Sequence, residues 1–200
     1  MGAPVTLRDG SRVRIRQWHR SDTDLLLRGF DRLSPESRYR RFLSGIRELT
    51  GPALRYLTEL DHHDHEAMIA VDERTGEAVG LARYVRDPRR PAVAELALTV
   101  IDDWQGRGVG TLLLNVLCAR AREGGITHFT ALMLATNRTM RDLLEQLGPV
   151  RIVDRDVSTL EVEVSNPTVS VSPELRKLVR VAARYDVRAR GYRRAITPFA

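Results

Sequence analysis

Between residues 68 and 101 the apolar positions fall into three runs, MIAVD, AVGLARYV and VAELALTVI. The gaps are short and polar: Glu73-Arg74-Thr75-Gly76, then DPRRPA at 87–92. Strand-length apolar runs joined by turn residues predict an antiparallel meander. Beyond residue 101 the period changes. Val109, Leu112, Leu113, Val116 and Leu117 recur at the spacing of one helix face. HFTALMLA (128–135) predicts a strand. Met140, Leu143, Leu144 and Leu147 predict a second one-sided helix, opened near Asn137 and stopped at Gly148-Pro149. One or two further strands belong in 150–164.

Ahead of the meander, Val13-Arg14-Ile15-Arg16 alternates as a first strand. Ser21 or Asp22 caps a helix through Leu25, Leu26, Leu27 and Phe30. LSPESRYRRF opens another, with Ser34 as cap and Pro35 at the first helical position. A third helix begins near Pro52 and ends at the run DHHDHE (61–66). The order is a strand with helices, a meander, then β-α-β-α-β. The expected fold class is α/β in the α+β sense: a mixed, mostly antiparallel central sheet with helices on both faces. NPTVSVSP (166–173) reads as a linker. We therefore expect one domain over 1–165, followed by a linker and basic tail over 166–200.

Charge sharpens that division. The segment from 173 onward holds eight basic residues against Glu174 and Asp186, which equals the whole net charge of +6. Lys177 is the only lysine, an arginine bias that fits a GC-rich bacterial genome. Ser172 caps a basic C-terminal helix with Leu175, Leu178, Val179 and Ala182 on one side. It reads as a docking or steering element. No DNA-reading motif accompanies it, so nucleic acid is not the expected partner. No apolar run reaches the ~20 residues of a membrane span, and MGAPVTLRDG lacks the core of a secretory signal. The expected location is the cytoplasm, with no membrane partner. Cys118, the only cysteine, lies on the apolar side of its helix and reads as a small buried residue.

The densest chemical signal is DDWQGRGVGTLLL (102–114). Gly106, Gly108 and Gly110 sit between a strand and a helix. The first amides of a helix lack intrahelical partners, and its dipole is positive there. Glycines let an oxyanion approach the backbone, Arg107 adds charge and Thr111 a hydroxyl. A phosphate or diphosphate is the natural occupant. The P-loop pattern is absent, and the dinucleotide pattern GxGxxG fails at Thr111.

Val100, Gln105, Gly108 and Gly110 fill every fixed position of V-x-x-x-x-[QR]-x-x-G-x-[GA]. That stretch resembles the acyl-CoA signature of the GCN5-related N-acetyltransferases, and Asn137 matches a usual asparagine of that family. The resemblance covers about residues 10–165. LSPESRYRRF, the acidic run before MIAVD, and ELALTVIDDWQGRGVG look like the acetyltransferase domain of bacterial Pat-type protein lysine acetyltransferases. Those enzymes often carry a further regulatory or ligase-like domain, for which 200 residues leave no room. The resemblance implies acetyl-CoA as cosubstrate and no metal. It places the diphosphate on backbone amides of Gln105, Gly106, Arg107, Gly108, Val109, Gly110 and Thr111. It pairs the pantetheine arm with the backbone of Leu98, Thr99 and Val100. The expected acceptor is a primary amine, foremost a protein lysine, with a small-molecule amine as the alternative. A non-catalytic acyl-CoA sensor is the contrasting class.

Glu95 is the one charged residue in VAELALTVI. Its ordinary role there is a salt bridge, with Arg83 on the neighbouring strand as partner. Its chemical role is general base. A lysine amine of pKa about 10.4 is neutral in only about one molecule in 2,500 at pH 7, so a base near the thioester speeds attack. Partial burial would tune Glu95 toward the working pH. The resemblance also puts the catalytic glutamate here. Many family members carry a tyrosine in the later helix to protonate the leaving thiolate; the matching position is Leu144, so no general acid carries over. In DHHDHE the histidine spacing fits neither a helical nor a finger-like zinc site, and a polar loop is expected. His65 is a conceivable proton relay. Tyr39, Arg40 and Arg41 are candidates to line the acceptor site, but the favoured reading is a packed aromatic and two solvated charges, and Trp104 reads as a packing residue.

Overall fold

The structure, a computed structural model, describes residues 4–167. The part of the linker from residue 168 on, the basic C-terminal helix and the rest of the tail lie outside the described residues. Eight strands form one sheet in the order β1-β2-β3-β4-β5-β6-β8-β7. They are β1 (Pro4–Thr6), β2 (Arg12–Gln17), β3 (His65–Asp72), β4 (Ala78–Arg86), β5 (Val93–Val100), β6 (His128–Leu134), β7 (Val150–Arg155) and β8 (Thr159–Ser165). Every neighbouring pair is antiparallel except β5 with β6. The helices are α1 (Thr23–Asp31), α2 (Pro35–Phe42), α3 (Gly51–Thr58), α4 (Val109–Glu123) and α5 (Arg138–Glu145). The mixed sheet with helices on both faces is the expected architecture.

β3 and β4 are buried along almost their whole length, because helices cover both faces of the sheet there. Trp18, Ala67, Ile69 and Ala78 pack with Leu25 and Leu26 of α1 on one face. On the other, Tyr84, Ala82 and Leu96 pack with Leu113, Leu117 and Phe129. Gly80 lets α4 approach. A Cβ there would sit 2.9 Å from Leu113 Cδ1 and 3.1 Å from the Thr99 carbonyl oxygen.

Three details differ from the sequence reading. β1 was not expected; it is three residues long and held only by β2. β3 starts at His65 rather than Met68, so the end of DHHDHE is strand and not loop. Asp22 does sit at the N-cap of α1, but its side chain makes no capping bond there; its carboxylate holds Arg16 in a two-pronged bridge of 2.6 and 2.7 Å.

Candidate active site

β5 pairs with β6 only from Val93 to Glu95, while its pairing with β4 continues to Val100. The sheet therefore splays after Glu95. One edge of Leu98, Thr99 and Val100 is left facing a cleft of about 700 Å³. Of the eleven residues expected to hold the cosubstrate, ten line this cleft: Leu98, Thr99, Val100, Gln105, Gly106, Arg107, Gly108, Gly110, Thr111 and Asn137. Val109 is the exception. Its side chain is buried in the core, against the position where Gly80 lacks a Cβ.

The glycine turn has the conformation its sequence demands. Gly106 and Gly108 take φ of 74° and 92°, left-handed values that side chains disfavour. Open space surrounds both. Among the described residues, the amides of residues 106–111 donate to no backbone carbonyl. That is a run of unpaired N–H groups at the start of α4, the arrangement that binds oxyanions. Gln105 shapes the turn instead. Its amide donates to the Asp102 carbonyl at 3.2 Å, and its side chain donates to Val100 O at 3.1 Å. Arg107 pairs with Asp9 at 3.2 Å and lies over the Trp104 ring. Trp104 is buried, as a packing residue should be. Asn137 caps α5 by accepting from the Met140 amide at 3.2 Å.

Asp102 is a positioning residue that the sequence did not reveal. Its carboxylate accepts from Ser34 N (2.9 Å), Ser34 Oγ (2.8 Å) and Ser37 Oγ (2.9 Å). Burial opposes its charge, but these hydrogen bonds hold its pKa below the ordinary aspartate value. The N-terminus of α2 is thereby tied to the glycine turn. The partners lie more than sixty residues apart, so no local spacing signals them.

Glu95 sits three residues before Leu98, about 10 Å along the strand. It does not line the cleft. It is exposed rather than half-buried, because the strand opposite it is already near its end. Nor does it pair with Arg83: the register sets Val85 opposite Glu95 and Ala97 opposite Arg83. Arg41 departs from its expected role as a solvated charge. It lines the cleft wall and stacks on Phe42, with burial lowering its pKa. Tyr39 is 44% exposed rather than packed, while Arg40 also lines the cleft and pairs with Glu36. Leu144 is fully buried, so that position brings no acid to the cleft. Burial pushes the Cys118 thiol up to about 12, which leaves it inert.

With this geometry in view, comparison with known proteins decides the family. The model of the acetyltransferase (GNAT) family matches residues 29–148. The chain belongs to the GNAT family. This GNAT chain is 36% identical over 189 residues to acetyltransferase Pat of Mycolicibacterium smegmatis, covering 93% of the chain and 56% of that protein. It is 35% identical over 156 residues to acetyltransferase PA5475 of Pseudomonas aeruginosa, covering 77% of the chain and 83% of that protein. Among solved structures, the GNAT domain of S. lividans PAT superposes with a TM-score of 0.75 at 31% identity, covering 82% of this chain and 96% of that one. The chain thus spans little more than half the length of the mycobacterial relative. No helix among the described residues is long and apolar enough to cross a membrane.

Proposed function

We propose that this chain is an acetyl-CoA-dependent N-acetyltransferase whose acceptor is a primary amine, foremost a protein lysine. In this reading residues 1–165 are the catalytic domain and 166–200 a linker and docking tail, in a cytoplasmic protein. The observation that carries it is the unpaired amide run of residues 106–111, opening onto the splayed edge of β5. Those amides hold the diphosphate of the cosubstrate. The free edge of Leu98, Thr99 and Val100 pairs the pantetheine arm as an added strand, which uses main-chain groups and fixes direction. Family membership and the name of the Pat relative support acetyl transfer, and the lysine acceptor rests on the resemblance to Pat-type enzymes.

The acceptor nitrogen attacks the thioester carbonyl, forming the C–N bond. A backbone N–H of β5 steadies the oxyanion. The C–S bond then breaks and CoA leaves as the thiolate. Glu95 takes the proton from the amine, through a water that its exposed carboxylate can reach. A thiol of pKa about 8.5 leaves without a dedicated acid.

Calorimetric titration with acetyl-CoA and CoA release over a panel of lysine-bearing proteins and small amines tests the reading. We expect one binding site and release with at least one acceptor. Binding with no release from any acceptor would mark a sensor, and no binding would remove both. Gly108→Val should weaken acetyl-CoA binding about tenfold, since forcing a side chain into the left-handed region costs roughly 1–2 kcal/mol.

A further inference from the structure

On the α3 side of the sheet lies buried positive charge whose hydrogen bonds are not met among the described residues. Arg83 on β4 is 3% exposed, and both Nη1 and Nη2 are buried with no hydrogen-bond partner. Its guanidinium lies 4.4 Å over the Tyr56 ring, whose phenol also favours the charge. His65, on the same sheet face as Arg83, has its ring tilted against Tyr56 at 5.5 Å between centroids, with an Nε2 that is buried and unpartnered among the described residues. Burial above all, then Arg83 and His62, pushes that imidazole down to about 2, so it stays neutral. Burial lowers Arg83 to about 10, and the nearby Arg41 adds repulsion. Glu95 is the carboxylate whose charge favours both guanidinium groups.

Their placement is specific. Arg83 stands opposite Ala97, midway between Glu95 and Thr99 on the same face of β5. Arg41 shares the cleft wall with Thr99. Arg83 therefore lies between Glu95 and Thr99 along the sheet, and Arg41, at the cleft wall, is close enough to Glu95 to feel its charge. Folded proteins seldom leave buried polar groups unpaired, and an unmet guanidinium edge is the fork that carboxylates fit. Two cations against one carboxylate leave net positive charge, which suits a further carboxylate.

We propose that Arg83 and Arg41 form a carboxylate-binding subsite beside Glu95, which selects a reactant carrying a carboxylate. This rests on the acyl-transfer reading above. The carboxylate belongs either to the acceptor, as in an amino acid, or to the acyl chain, as in succinyl-CoA.

The test measures CoA release by the full chain in two arms. One sets amino acids against their amides with acetyl-CoA fixed. The other sets succinyl-CoA against acetyl-CoA with the amine fixed. We expect at least about a tenfold preference in kcat/KM for the carboxylate form in one arm, which names the source. Arg41→Gln and Arg83→Gln should each bring that ratio to within about twofold. Melting temperatures check folding, and Arg41→Gln carries the result if Arg83→Gln does not fold. Calorimetry with glutarate against glutaramide reads the subsite without turnover. Ratios near one in both arms with no glutarate preference would overturn the subsite and leave acetyl transfer standing. A preference that both variants retain would also overturn it. Arginine-dependent glutarate binding without CoA release from any pair would uphold the subsite and remove acyl transfer.

Discussion

His65 and Glu66 are neighbours in sequence, and their side chains serve two opposite kinds of buried polar cluster. On the α4 side, Glu66 is fully buried and fully met: His62 Nδ1 at 2.8 Å, Gln17 Nε2 at 2.8 Å, Arg120 Nε at 3.0 Å and the Ala67 amide at 2.9 Å. On the α3 side, Arg83 and His65 are also buried and leave three nitrogens unmet among the described residues. One cluster is complete within the chain and joins β2, β3 and α4. The other is left incomplete among the described residues, which is the gap the proposed carboxylate would fill. Burial alone does not tell a structural charge from a functional one; the state of its hydrogen bonds does.

The largest expected consequence lies in the complete cluster. Glu66→Ala leaves Arg120, His62 and Gln17 facing a gap, and should destabilise the fold by about 3 kcal/mol in denaturant titration. Gly80→Ala, on the same face, presses a methyl against Leu113 and the Thr99 carbonyl and should cost about 1–3 kcal/mol, read the same way. Arg83→Met should behave in the opposite sense. Removing an unmet buried charge for an apolar group of similar length should leave stability unchanged or raise it by about 1 kcal/mol. A loss of 3 kcal/mol there would erase the contrast between the clusters.

The subtlest effect is in the slope of stability with pH. The folded His65 stays neutral while the unfolded one protonates below 6.5, so stability falls as pH drops below that value. Burial opposes the Glu66 charge, but its partners hold its pKa under the ordinary 4.5, so its contribution is present above 4.5 and is lost on further acidification. His65→Gln should flatten the curve from 6.5 down to about 2, alone between 6.5 and 4.5, and Glu66→Gln should flatten it only below 4.5. Chemical denaturation at a series of pH values separates the two windows.

The two sides were not equally legible in the sequence. The meander, the two later helices and the glycine turn announce themselves through period and local turn chemistry, and the donor-side residues sit within fifteen positions of one another, apart from Asn137. The splay of β5 from β6 depends on where pairing stops, which no local pattern records. The α3-side cluster joins α2, α3, β3, β4 and β5, so Arg41 read as a surface charge and His65 as loop. Register decided the rest. Arg83 lies diagonal to Glu95 and not across from it, so the salt bridge that charge alone suggests does not form. β1 is too short to carry a period.

The account turns on Glu95 acting on a reactant delivered by the glycine turn. The most direct test measures CoA release and acetyl-CoA affinity on the same sample of Glu95→Gln. The expected result is a rate lower by about 10²–10⁴ with affinity within about twofold of the unaltered chain. Turnover equal to that of the unaltered chain would contradict it.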